Sequence, residues 1–159
     1  VRFASEDVGI ADSNALVVAV AAYQACHFNG MPECSVNLAQ AVVYLSMAPK
    51  SNALYAAYEN CKEDAVKMLA EPVPLQIRNA PTRLMEELHY GEGYIYAHNT
   101  EEKVTAMRCL PDSLKDKRYY VPTDEGKEAE VKEKLDRILK WKREQENKKR
   151  QGNKESKEE

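Results

Sequence analysis

From Asn14 to Phe28 the chain carries no Asp, Glu, Lys or Arg, and alanine fills positions 15, 19, 21, 22 and 25. Leu16, Val17, Val18 and Val20 stand between them. The run is too long for a buried strand, and its most apolar part, Ala15 to Ala25, is shorter than the roughly 20 residues that cross a bilayer. It is read as a helix, stopped by Asn29-Gly30. Asp12 or Ser13 is placed to accept a hydrogen bond from its first turn. A helix with so few polar positions must be covered on most sides, and its small side chains let neighbouring helices approach closely.

Pro32 suits the first turn of a second helix, running to about Met47 and closed by Pro49. A third helix, capped by Ser51 or Asn52, is expected from about Ala53 to Leu69. Leu54, Tyr58, Cys61, Ala65 and Met68 or Leu69 recur on it at three-to-four-residue spacing. Short connections between the three predict a compact antiparallel bundle, or a stacked arrangement of similar kind. Glu71-Pro72-Val73-Pro74 then forces an extended connection. A short helix follows Asn79-Ala80-Pro81-Thr82 and ends at Gly91, and one or two helical turns are expected between Glu101 and Met107. Tyr119 and Tyr120 are expected to anchor an irregular segment, rings buried and hydroxyls hydrated. The last helix, from Thr123-Asp124-Glu125 to about Lys149, has a narrow apolar stripe of Val131, Leu135, Ile138 and Leu139. Residues from about Gln145 to Glu159 are nearly all polar and are expected to fray. The fold class is therefore all-α: a compact helical bundle, an irregular segment with Pro, Gly and Tyr, and a C-terminal amphipathic helix.

A formal net charge of -3 over 159 residues supplies no global field for holding DNA, although a local basic strip is compatible with it. No signal segment stands at the start, and the expectation is a soluble protein with no membrane partner. Cys26, Cys34, Cys61 and Cys109 form no CxxC pair and are read as reduced structural thiols. Cys26-His27, His89 and His98 do not fall at ligand spacing, so no metal site is expected. Neither GxxxxGK[ST] nor GxGxxG occurs, and Gly91-Glu92-Gly93 is too short to cradle a phosphate. No catalytic residue and no cofactor site are assigned to the chain.

Ser5-Glu6-Asp7 is read as a helix end whose carboxylates accept backbone hydrogen bonds rather than as acid/base machinery. Lys50, at a helix junction, and Arg78 and Arg83, flanking another helix start, are the candidate anion or DNA contacts. The competing reading has Lys50 and Arg78 pairing with carboxylates or capping carbonyls, and that structural role is the expectation. Lys140, Lys142, Arg143, Lys148, Lys149 and Arg150 are interrupted by Glu144 and Glu146. Such a pattern is ordinarily a solvated helix end, with weak nucleic-acid affinity as the sharper alternative.

Three ordered blocks resemble a known family. They are Arg2-Phe3-Ala4-Ser5-Glu6-Asp7-Val8-Gly9-Ile10-Ala11-Asp12, then Leu38-Ala39-Gln40-Ala41 with Ala48-Pro49-Lys50-Ser51-Asn52-Ala53, then Val73 to Met85 with Tyr90-Gly91-Glu92-Gly93-Tyr94. Together they are similar to the C-terminal region of the RarA/MgsA replication-associated recombination proteins, relatives of eukaryotic Werner helicase-interacting protein. Ser13 stands where proline is common, and Gln76-Ile77 replaces His-Leu.

The resemblance implies an AAA+ core, binding ATP and Mg²⁺, located N-terminal to this chain in a parent ATPase. The opening at Val1 without methionine is accordingly read as an internal cut. The resemblance further implies residues 1–12 as the end of the AAA+ lid or its junction and 13–125 as a tetramer-forming helical domain. Residues 126–159 are read from their own pattern as an amphipathic helix with a charged tail, the part after about Lys140 lying outside the resemblance. Implied partners are further copies of the chain, DNA through the parent protein, and single-stranded DNA-binding protein. The implied location is the bacterial cytoplasm, at the nucleoid. The first two helices are apolar around most of their circumference, and a subunit interface would cover the surplus. Leu16, Val20, Tyr23 and Val43 are the candidate interface residues.

Overall fold

In the computed structural model, residues 1–68 and 71–158 are described, with side chains through 149 and at 151. All regular structure among them is helical. A π-helical turn, Ala4–Val8, and a 3-10 turn, Gly9–Asp12, lead into α1 (Asn14–Asn29). Asp12, not Ser13, supplies the cap: its Oδ1 accepts from the Asn14 N–H at 3.1 Å. Gly30 ends α1 at φ 70°, where its N–H reaches the Cys26 carbonyl.

α2 (Ser35–Met47) returns antiparallel to α1. Asn14 meets Tyr44 at one end of the pair, and Asn29 meets Asn37 at the other. Pro32 lies in the turn before α2, so its position at the first helical turn is corrected. The helix begins three residues later, where the Cys34 carbonyl accepts from Leu38.

α3 (Ala53–Lys67) packs chiefly against the two N-terminal turns. Ser51 Oγ caps it, accepting from the Ala53 N–H at 3.3 Å. The expected stripe is corrected here: Leu54, Tyr58, Cys61 and Ala65 face outward, whereas Ala57 is buried. Leu69 lies outside the described residues. The packed face is the alanine face because Ala4, Val8, Ala15, Ala19 and Ala48 build a core of small side chains, against which Tyr44 and Leu45 pack. Close approach of backbones takes the place of large interdigitating side chains.

Two compact units divide the chain. The first comprises Val1–Lys67 and Arg118–Lys134; the second comprises Met68–Lys117 and the chain from Leu135 onward. In the second, Leu75–Ile77 forms a 3-10 turn and α4 (Arg83–Glu87) is capped by Thr82, whose Oγ1 accepts from the Met85 N–H at 3.4 Å. Residues 101–107 are a turn followed by irregular chain instead of the expected helical turns, and the 3-10 turn falls earlier, at Ala97–Asn99. Val104, Thr105, Ala106 and Met107 together lack a 3.6-residue polar/apolar rhythm.

α5 (Glu128–Glu158) starts in the first unit and continues into the second. It runs past Lys149, where fraying was expected, through a sequence rich in Lys, Glu, Gln and Arg. These unbranched side chains lose little rotamer freedom in a helix and so favour it intrinsically. No helix among the described residues is long and apolar enough to cross a membrane.

Candidate interaction surface

Ala15, Ala19 and Ala22 follow the spacing i, i+4, i+7 and form the buried stripe of α1. Leu16, Val20 and Tyr23 repeat that spacing one residue later, about 100° around the helix, and are 40%, 37% and 68% exposed. Val17 and Phe28 lie further around and are also exposed. On α2, Ala41 is buried, while Val36, Val42, Val43 and Met47 face out, Val43 being 64% exposed. A shallow groove between the two helices is lined by Ala21, Ala22, Ala25 and Ala41, with Asn37 and Gln40 on one side. The result is a hairpin whose inner seam is alanine and whose outer surface carries the large apolar side chains.

Beside this hairpin lies a tightly bonded junction in the same unit. The Ser51 N–H donates to the Asp7 carbonyl at 2.8 Å. Tyr44 donates its hydroxyl proton to Asp12 Oδ2 at 2.7 Å and accepts from the Asn14 amide at 3.1 Å. Gly9 sits at φ 55°, and a Cβ there would fall 2.7 Å from the Ser51 carbonyl oxygen. Glu128, with no exposed surface, receives the hydroxyls of Tyr120 at 2.6 Å and Thr123 at 2.5 Å. Burial pushes the Glu128 carboxyl up, but hydrogen bonds from Ser51, Thr123 and Tyr120 outweigh it and hold the group below the ordinary carboxylate value. Burial and the same carboxylate push the Tyr120 phenol well above its ordinary value. These groups serve as a structural pin, their polar atoms bonded to one another.

In the second unit, a pocket is lined by residues of the 76–94 segment, including Arg78, Asn79, Gly91 and Tyr94, together with Met107 and Cys109. Gly91 approaches closely, its N–H donating to the Leu75 carbonyl at 2.8 Å.

Residues 1–139 match the family described as MgsA AAA+ ATPase C terminal. The chain belongs to that family. Replication-associated recombination protein A of Haemophilus influenzae is 47% identical to it over 136 residues, 85% of this chain and 30% of that protein. The protein of the same description from Escherichia coli K12 is 44% identical over 133 residues, covering 83% and 30%. ATPase WRNIP1 of Dictyostelium discoideum is 43% identical over 121 residues, covering 76% and 14%. The chain thus spans less than a third of the length of these curated relatives.

For this MgsA-type C-terminal chain, the quoted sequence blocks turn out to be the contacts of the fold. Asp7, Gly9 and Asp12 of the first block meet Ser51 and Tyr44 on or beside the second. In the third, the Arg78 guanidinium stacks over the Tyr90 ring at 4.9 Å and donates to the Val73 carbonyl at 2.5 Å. Arg83 pairs with Glu87 at 3.1 Å, both exposed. Lys50 Nζ caps the C-terminal end of α2 through the Ser46 and Ala48 carbonyls and lies 5.8 Å from the Phe3 ring. Lys50 and the two arginines thus fall in different units.

Glu6 binds the Arg2 guanidinium at 2.8 and 2.9 Å, where backbone partners were expected for this carboxylate. The hydroxyls of Tyr119 and Tyr120, expected to be hydrated, bind Asp64 at 3.0 Å and Glu128. All four cysteines are free, but Cys61 and Cys109 are exposed, so the role of buried structural thiol fits Cys34 and not these two. Glu128 escapes sequence reasoning altogether, since nothing distinguishes it from the carboxylates around it in Glu125 to Glu133. The outward Val36, Val42 and Met47 were legible as apolar positions on the second helix but were not singled out as interface candidates.

Proposed function

We propose that this chain is the assembly module of an AAA+ ATPase acting in DNA replication and recombination, and that it forms a homotetramer. In this reading residues 13–125 are the oligomerisation domain, preceded by the end of the lid at 1–12 and followed by the helix and charged tail of 126–159. ATP and Mg²⁺ are handled by a core outside the chain, which itself has no P-loop motif. The parent works in the bacterial cytoplasm at the nucleoid, on DNA and in company with single-stranded DNA-binding protein.

The observation that carries the reading is the outer surface of the α1–α2 hairpin. Leu16, Val20, Tyr23 and Val43 leave more than a third of their surface uncovered each, beside Val17, Val42 and Met47. Exposed large apolar side chains grouped on one hairpin support an interface there. Family membership supports the same reading, and so does the absence of recognisable nucleotide chemistry in the sequence. Holding several ATPase cores in fixed relation raises their effective concentration on a shared DNA without any new contact. Sedimentation velocity and light scattering on this chain at micromolar concentration test it. A tetramer is expected, and a monomer overturns the proposal.

A further inference from the structure

Positive charge is unevenly placed in this acidic chain. In the second unit, a groove of about 360 Å³ runs between the irregular segment of residues 106–117 and one face of α5. The helix contributes Leu139, Lys142, Arg143 and Glu146, at i, i+3, i+4 and i+7, so the four side chains lie along one side. Five cations line the groove: Arg108, Lys115, Lys117, Lys142 and Arg143. Asp116 and Glu146 are the acids among the lining residues. With Arg108 and Lys117 engaged in other interactions, Lys115, Lys142 and Arg143 carry the groove's positive charge in a chain whose net charge is -3.

Both walls are fixed by the fold. Gln76 Nε2 donates to the Arg108 carbonyl at 2.7 Å, and Arg108 Nε donates to Glu146 at 3.1 Å, tying segment to helix. Further along, Leu114 is buried and its 3-10 turn, Asp112–Leu114, holds Lys115 beside the groove. Glu146 is spent on Arg108, so it does not neutralise the cations of the helix face. Bringing like charges together costs free energy, and a bound polyanion would relieve it. The cationic face also extends: Lys149 is seven residues beyond Lys142, two turns and about 10 Å along α5. That length suits a linear polyanion better than a single phosphate group. None of the lining residues is aromatic, so a bound strand would not be held by base stacking.

We infer that this groove seats the phosphate backbone of a nucleic-acid strand, without reading its sequence. Lys142 and Arg143 on the helix and Lys115 on the facing segment are the principal contacts. The site does not depend on the assembly reading, which rests on the other unit.

Fluorescence anisotropy of a labelled 20-nucleotide oligo-dT with the full chain, over a salt series, tests the inference. Lys142→Glu/Arg143→Glu should weaken binding about tenfold or more and flatten the logarithmic salt slope by about 1.4, two lost contacts on a single strand. Lys127→Glu/Lys134→Glu, with the same charge change just before α5 and in its first two turns, should leave binding within about twofold. Lys115→Glu, on the irregular segment, should weaken binding in the same direction and guards against a helix defect in the double variant. Equal affinity in the wild type and both groove variants overturns the inference. So does a polyglutamate peptide that displaces the oligonucleotide at equal charge concentration, which would make the ligand an acidic protein segment. Sedimentation of the same samples keeps the two proposals apart. A groove variant that loses binding but keeps its oligomeric state leaves assembly intact, and a monomeric wild type that still binds sinks assembly alone.

Discussion

The Tyr120 hydroxyl donates to Glu128 at 2.6 Å, and this carboxylate has no exposed surface. The phenol therefore links the irregular segment before α5 to the first turn of the helix itself. Hydrogen bonds to charged groups contribute about 1.5–3 kcal/mol, so Tyr120→Phe should cost that much in urea unfolding at pH 7.

Glu128 also makes stability depend on pH. Its folded carboxyl is held below the ordinary value, so its contribution is fully present above the unfolded carboxylate pKa of about 4.3 and fades as pH falls through the lower folded value. Glu128→Gln should therefore destabilise the chain at pH 7 and much less near pH 2–3, read by thermal melts at both. Tyr120 is shifted the other way, upward, so its contribution is present below about pH 10 and is lost as pH rises beyond it. An equal penalty for Glu128→Gln at both acid and neutral pH would mean that the charge of the carboxylate contributes nothing.

Gly126 is held at φ 51°, and a Cβ there would lie 2.4 Å from the Ala11 carbonyl oxygen and 2.6 Å from the Pro49 ring. The next residue donates its N–H to that same carbonyl at 2.9 Å, so the backbone cannot withdraw without breaking the bond. Gly126→Ala should cost about 2 kcal/mol or more, combining the positive φ with the clash. Differential scanning calorimetry would show a fall of several degrees, and an unchanged melting temperature would mean that the junction is slack.

Much of this architecture was legible because its signals are local. Asp12, Gly30, Pro49, Ser51 and Thr82 mark helix ends through backbone chemistry that operates within four residues. The faces were harder. On α3 the helical rhythm of Leu54, Tyr58 and Cys61 is real, yet Ala57 is the buried residue. Periodicity identifies an apolar stripe but not whether the chain's own core or another surface covers it. Glu128 was illegible for a different reason: its three hydroxyl partners come from residues 51, 120 and 123, and only the tertiary fold gathers them. The basic groove is intermediate, since Lys142 and Arg143 were visible as charges while Arg108 and Lys115 reach them through the path of residues 106–117.

Lys50 offers a direct check on whether a well-placed cation is a ligand or a cap. Its ammonium group is committed to the Ser46 and Ala48 carbonyls at the end of α2, over the Phe3 ring. Lys50→Met keeps the aliphatic stem and removes the cap. A loss of about 0.3–1 kcal/mol in stability is expected, with oligo-dT affinity unchanged. Unchanged stability with weakened affinity would instead return Lys50 to the role of anion contact.

The outer face of the α1–α2 hairpin makes the strongest demand on the assembly proposal. Tyr23 and Val43 are each about two-thirds exposed, and neither appears in the alanine core. Replacing them by glutamate should therefore leave the unfolding free energy of an isolated subunit nearly unchanged. In an interface the same substitutions bury an unpaired carboxylate, and truncation or charge at such central positions costs about 2 kcal/mol or more. Tyr23→Glu should then weaken association about 30-fold, and Tyr23→Glu/Val43→Glu should sediment as a monomer at concentrations where the wild type is assembled. Circular dichroism must show the helices intact in both. If the double variant stays assembled, the subunits meet through another surface, and the outward residues of α3, Leu54, Tyr55 and Tyr58, become the next to change.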